Sequence, residues 1–279
     1  MTWWLFVDKL QSVGKALTIA MFTALTGIIS VSCTNNQDVL VTEVGVSPPN
    51  RRLASNSKAG EFYIQGKTQH LKGNSQGAIA AYNRAISLDS RYAPAFKGRG
   101  LAYFDLGNRE AAIADYNEAL RLNPNDAETY NNRGNARASL KDYRAAIADY
   151  NVAVRLAPNY AEAYNNRGNA RANEGNKDAA LEDYTQAIRL NSRYSIAYNN
   201  RGNTYAAKGE PRKAIADYNE AIRLNSNFAA AYNNRGNARA ATGDKRGALQ
   251  DLQRAASIFD REGNRGLYQQ VMKNIQELR

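Results

Sequence analysis

The chain holds one cysteine and one histidine in 279 residues. A lone Cys33 excludes an intramolecular disulfide framework, so the fold must rest on packing. A lone His70 leaves little material for a metal centre or for histidine-based acid–base chemistry, and no cofactor is implied. Prolines number only six while alanine and asparagine abound, a balance that favours helices separated by short turns. Acidic residues are the minority charge, 26 against 37 Lys and Arg, and the formal net charge of +11 directs attention to anionic partners. Sustained apolar sequence is confined to residues 16–32.

Residues 1–32 differ in composition from everything after them. Lys9 and Lys15 precede ALTIAMFTALTGIISVS (16–32), and the chain turns polar at CTNNQ (33–37). A basic leader followed by an apolar segment is a secretory pattern and stands outside fold reasoning. The apolar run of 17 residues also reaches the lower limit for crossing a bilayer, so an uncleaved anchor is the alternative. Cys33 falls at the apolar–polar boundary, where the sequence resembles a bacterial lipoprotein signal, in which that cysteine is lipidated and becomes the new N-terminus. Val31 and Ser32 suit the motif; Ser30 stands where an aliphatic residue is usual. Several acyl chains on one terminus hold a protein to a membrane far better than one. The expected address is the bacterial cell envelope, with the chain membrane-anchored by lipidated Cys33 or by an uncleaved N-terminal segment. Residues 33–58, with SPPNRR and SNSK, read as a flexible linker.

From Ala59 the chain repeats every 34 residues, in units 59–92, 93–126, 127–160, 161–194, 195–228 and 229–262. Each unit has an aromatic residue, then glycine four residues later: Phe62/Gly66, Phe96/Gly100, Tyr130/Gly134, Tyr164/Gly168, Tyr198/Gly202 and Tyr232/Gly236. A turn glycine follows at Gly73, Gly107, Gly175, Gly209 and Gly243, with Lys141 in its place in the third unit. Ala78, Ala112, Ala146, Ala180, Ala214 and Ala248 then precede Tyr82, Tyr116, Tyr150, Tyr184, Tyr218 and Leu252 by four residues. Small residues on both helices are what two antiparallel helices need to approach closely, and the turn glycine supplies a left-handed helix end. This pattern resembles the tetratricopeptide repeat family over residues 59–262. The resemblance implies an all-α, right-handed superhelical solenoid of six helix-turn-helix repeats. The tail 263–279, with Leu267, Val271, Ile275 and Leu278 at helical spacing, is expected to form a C-terminal capping helix, and the divergent first unit to cap the other end.

Five units carry an arginine just before the close-contact glycine and an aspartate sixteen residues after it: Arg99/Asp115, Arg133/Asp149, Arg167/Asp183, Arg201/Asp217 and Arg235/Asp251. The first unit has Gln65 and Ala81 and so lacks both. Charges present together and absent together are expected to pair, as structural bridges between the two helices of a unit. Arg137, Arg171 and Arg239 are left without an assigned aspartate.

Asparagine is a mediocre helix former, yet it recurs inside first helices. The sets are Asn131, Asn132 and Asn135; Asn165, Asn166 and Asn169; Asn199, Asn200 and Asn203; and Asn233, Asn234 and Asn237. Residues three or four apart share a helix face, so each unit offers an amide patch. Amides carry donors and an acceptor that match a peptide backbone, and some members of the family grip extended peptides with such a ladder. The expectation is a concave, Asn-lined groove for extended peptide segments; the alternative is that the amides bond to one another and knit neighbouring units.

An enzyme is the reading these residues support least. GEFYIQGKT (60–68) resembles a phosphate loop at its end, but its spacing is wrong and it lies within a helix. The reading that emerges is a membrane-tethered protein–protein interaction scaffold. Its partners are other proteins or peptide segments, acidic ones drawn by the basic surface, and the membrane through the N-terminus. The alternative is a binder of anionic polymer or nucleic acid through the basic repeat surface. Nucleic acid is disfavoured because the tyrosines that would stack on bases occupy repeat-core positions.

Overall fold

The computed structural model describes residues 57–278; the expected signal segment, Cys33 and most of the expected linker lie outside the described residues. Thirteen α-helices and no strand occur among them. In chain order they are α1 (Lys58–Leu71), α2 (Ser75–Leu88), α3 (Ala93–Asp105), α4 (Arg109–Leu122), α5 (Ala127–Ser139), α6 (Tyr143–Leu156) and α7 (Ala161–Asn173). Then come α8 (Lys177–Leu190), α9 (Ser195–Ala207), α10 (Pro211–Leu224), α11 (Ala229–Ala241), α12 (Lys245–Arg261) and α13 (Arg265–Leu278). They form two compact units, residues 57–192 and 193–278. In each, a first helix packs against its second helix, and each second helix packs against the next first helix. Neighbouring first helices also touch directly, so they line the inner wall of each compact unit.

The small residues explain the closeness of each pair. Ala78, Ala112, Ala146, Ala180, Ala214 and Ala248 are fully buried, and the tyrosine or Leu252 four residues on is equally enclosed. A methyl added to Gly66, Gly100, Gly134, Gly168 or Gly202 would sit 2.5–2.8 Å from the tyrosine ring of its own hairpin. Burial pushes the pKa of the Tyr82, Tyr116 and Tyr218 hydroxyls up, so they stay protonated and able to donate.

The hairpin turns are set by the backbone. Gly73, Gly107, Gly175, Gly209 and Gly243 adopt positive φ between 74° and 96°, and nothing lies within 4 Å of the Cβ each lacks. The next residue caps the second helix in most repeats: Asn74, Asn108, Asp142, Asn176 and Asp244 each accept from a backbone N–H three residues on. Lys141 takes the same left-handed turn at φ 64° without being glycine. A side chain there costs about 1–2 kcal/mol, and glycine returns part of that by loosening the unfolded chain. Lys141→Gly is therefore expected to raise stability by about 0.5–1 kcal/mol, read as a higher urea midpoint at unchanged slope.

The two ends of the described array differ from its middle. Ala95, Thr129 and Ala163, and seven residues on Ala102, Ala136 and Ala170, are buried where each hairpin meets the preceding one. In α1 these positions are Glu61 and Thr68, both exposed, so that face is polar. At the other end α12 runs to 17 residues, and α13 buries Val271 and Ile275 against it, with Leu267, Tyr268, Met272 and Leu278 partly covered. None of the described helices is long and apolar enough to cross a membrane.

Candidate functional site: an arginine seam and an amide wall

Two polar networks run through the repeats. The first centres on the arginine before each close-contact glycine. Arg133 donates from Nη2 and Nε to the two carboxylate oxygens of Asp149 at 2.6 and 3.0 Å, and from Nη1 to Asn117 of the preceding hairpin at 2.7 Å. Arg99 does the same with Asp115 and Asn83, Arg167 with Asp183 and Asn151, and Arg235 with Asp251 and Asn219. Arg201 grips Asp217 through two bonds of 2.8 Å. Each of the five guanidiniums also lies 5.2–5.6 Å from the ring centroid of the aromatic residue three positions earlier. Hydrogen bonding to Asp115 and Asp217 raises the pKa of Arg99 and Arg201 above the ordinary arginine value. All five aspartates are buried.

The three arginines without an assigned partner are not free. Arg137, Arg171 and Arg239 donate from Nη1 to Oδ2 of Asp149, Asp183 and Asp251 at 2.7, 3.0 and 2.8 Å, the oxygen that also accepts from Nε of the first arginine. A carboxylate has room for two guanidiniums, so one aspartate serves both arginines of its hairpin. Sequence reasoning missed this sharing, and it missed the asparagines that receive the third bond. The available signal was the recurrence of Asn83, Asn117, Asn151 and Asn219 directly after the core tyrosine.

The second network is the set of first-helix asparagines, and it splits in two. Asn131, Asn165 and Asn199 are at most 2 % exposed, so they cannot line an open groove. Their burial follows from the contact between neighbouring first helices. Asn166 Nδ2 donates to Asn131 Oδ1 at 3.1 Å, and Asn234 Nδ2 donates to Asn199 Oδ1 at 3.0 Å. Asn165 and Asn233 bond to their neighbours Asn166 and Asn234. Asn200 and Asn234 are themselves nearly covered. These amides knit one hairpin to the next. Asn132, the remaining member of that set, is half-buried.

Asn135, Asn169, Asn203 and Asn237 are more open, although Asn203 Oδ1 also accepts from Asn234 Nδ2 of the next hairpin at 2.9 Å. They are half-buried on the inner wall, and in the first three a core tyrosine fixes the amide: Tyr150, Tyr184 and Tyr218 donate to Oδ1 at 2.7–2.8 Å. Asn237 Oδ1 accepts instead from Asn274 of α13 at 3.5 Å. With the oxygen committed, Nδ2 is the atom left over, and it makes no hydrogen bond among the described residues.

The chain matches models of the "TPR repeat" at 66–107, 100–141 and 134–175, and of the "Tetratricopeptide repeat" at 161–194 and 195–228. The chain belongs to the tetratricopeptide repeat family. Among solved structures, this tetratricopeptide repeat chain is similar to MamA at 28% identity and TM-score 0.54, over 58% of this chain and 94% of that one. YrrB, described as a TPR protein with an unusual peptide-binding site, matches at 26% identity and TM-score 0.52, over 61% of this chain and 88% of its own. A tetratricopeptide repeat protein from Parabacteroides merdae matches at 25% identity and TM-score 0.64, over 79% and 87%. No curated protein matches the chain significantly. Among the described residues, no group of His, Cys, Asp or Glu could hold a metal ion.

Proposed function

We propose that this tetratricopeptide repeat protein is a non-enzymatic interaction scaffold that holds extended segments of other proteins along its inner walls. Asn135 and Asn169 act in the first compact unit, and Asn203 and Asn237 in the second. The observation that carries the reading is the Tyr–Asn bond. A core tyrosine takes the amide oxygen of Asn135, Asn169 and Asn203, so these three rungs keep their N–H donors for peptide carbonyls. Each such bond contributes about 0.5–1.5 kcal/mol, so affinity comes from number. The peptide-binding site named for YrrB supports the same use of a similar wall. In this reading the N-terminus tethers the scaffold to a membrane of the bacterial envelope, through lipidated Cys33 or an uncleaved segment.

The polyanion alternative loses ground, because Arg137, Arg171 and Arg239 are occupied by buried aspartates rather than presented to a ligand.

Changing Asn135, Asn169 and Asn203 together to aspartate separates binding from folding. Aspartate keeps an oxygen for the tyrosine but replaces the outward donor with a negative charge. In-cell crosslinking read by mass spectrometry is expected to recover at least tenfold less partner from this variant, with its melting temperature nearly unchanged. An undiminished yield overturns the inner wall as the gripping surface.

A further inference from the structure

The 34-residue period lets one seam serve as the control for the next. Between the second and third hairpins, Lys97 of α3 places Nζ 2.8 Å from Glu128 and 3.1 Å from Asp126. Burial works to lower the pKa of this ammonium, but the two carboxylates win and raise it above the ordinary lysine value. One period later the register carries Lys97 to Asn131, Asp126 to Tyr160 and Glu128 to Glu162. The cation and one acid are gone; the other acid remains.

Glu162 stands on the first turn of α7, exposed at the inner wall, and no lysine or arginine pairs with it among the described residues. Although it keeps an open surface, protein crowds its carboxyl. That crowding raises its pKa, the side chains of Asn131 and Asn166 pull the other way, and Glu128 adds to the rise. Asn166 Nδ2 donates to Asn131 Oδ1 at 3.1 Å, which holds the two amides together. Asn131, which stands at the register position of Lys97, is fully buried, and its Nδ2 has no hydrogen-bond partner among the described residues. A carboxylate so placed is partly desolvated, yet lacks the counter-charge that its homologous neighbour has.

We propose that Glu162, which faces the register position of Lys97, is a subsite for a Lys or Arg side chain of the segment bound along the inner wall. The ligand's cation would occupy the place that Lys97 fills one seam earlier. This inference rests on the peptide-groove reading and adds a side-chain preference to it. It also runs against the protein's overall field: a chain of net charge +11 repels basic peptides at long range, so a basic preference can arise only locally.

The test uses the full-length protein and a library of random ten-residue peptides, selected in parallel on the native chain, on Glu162→Gln and on Asn135→Asp/Asn169→Asp. The native protein should enrich Lys or Arg over Gln at one peptide position. For the best peptide, replacing that residue by Gln should weaken binding about fivefold to the native chain and not at all to Glu162→Gln. Equal affinity for the two peptides, or a basic preference that survives Glu162→Gln, overturns the subsite while leaving the groove intact. Recovery of no peptide, or of peptides indifferent to the asparagine changes, overturns the groove and the subsite together.

Discussion

Asp149→Ala is expected to lower the unfolding free energy by about 3–5 kcal/mol, because it strands two guanidiniums at once. Arg133 and Arg137 both rely on this carboxylate, which is 3 % exposed, at distances of 2.6–3.0 Å. The cost comes from the charges left behind more than from the attraction lost. The first hairpin does without the charges altogether. Gln65 and Gln69 occupy the two arginine positions there, and Ala81, 4 % exposed, occupies the aspartate position. The triple change Arg133→Gln/Arg137→Gln/Asp149→Ala should therefore recover most of the stability that Asp149→Ala loses. Urea unfolding of the native chain and the two variants measures both quantities. A loss below about 1 kcal/mol for Asp149→Ala would place the pair among ordinary surface contacts.

Gly134→Ala is expected to cost about 1–3 kcal/mol by overpacking. The added methyl would lie 2.6 Å from Tyr150 Cε1, and the ring has little freedom to withdraw. Its hydroxyl is bonded to Asn135 at 2.7 Å, and Tyr150 is only 1 % exposed. Gly236→Ala provides the comparison. There the methyl meets Leu252 Cγ at 2.9 Å, a branched side chain with no polar tether. The same substitution should cost less at Gly236 than at Gly134, with thermal unfolding monitored by circular dichroism giving the order. Equal losses would mean that the helix backbones, not the tyrosine, set the limit of approach.

The hairpins were legible because period, glycine and alanine act together. A small residue that returns every 34 positions marks a close approach whatever the neighbouring letters are. Arg133 and Asp149 could be matched from sequence because the first hairpin omits both members of the set. The second guanidinium on Asp149 could not, since matching letters one to one ignores the two oxygens of a carboxylate. The asparagines were misjudged as a single class. Asn131 and Asn135 share a helix face, but a helix face does not say where the neighbouring first helix will lie. That neighbour covers Asn131 and leaves Asn135 half open. Glu128 and Glu162 passed unnoticed because only two repeats carry an acid at that position, and Lys97 reveals its meaning only once distances are known.

The guanidinium that reaches its own aspartate and the asparagine of the hairpin before it has an evolutionary corollary. Arg133 spans from Asn117 to Asp149, and Arg167 from Asn151 to Asp183, so three of the four interior modules bring both a hook and an asparagine eye, and the fourth has Thr185 at the eye position. Copying one whole module by unequal recombination would leave no orphaned charge at either splice. A lineage could lengthen or shorten this protein in steps of 34 residues while keeping each hook opposite an eye, whereas a change of any other length would throw the two out of register.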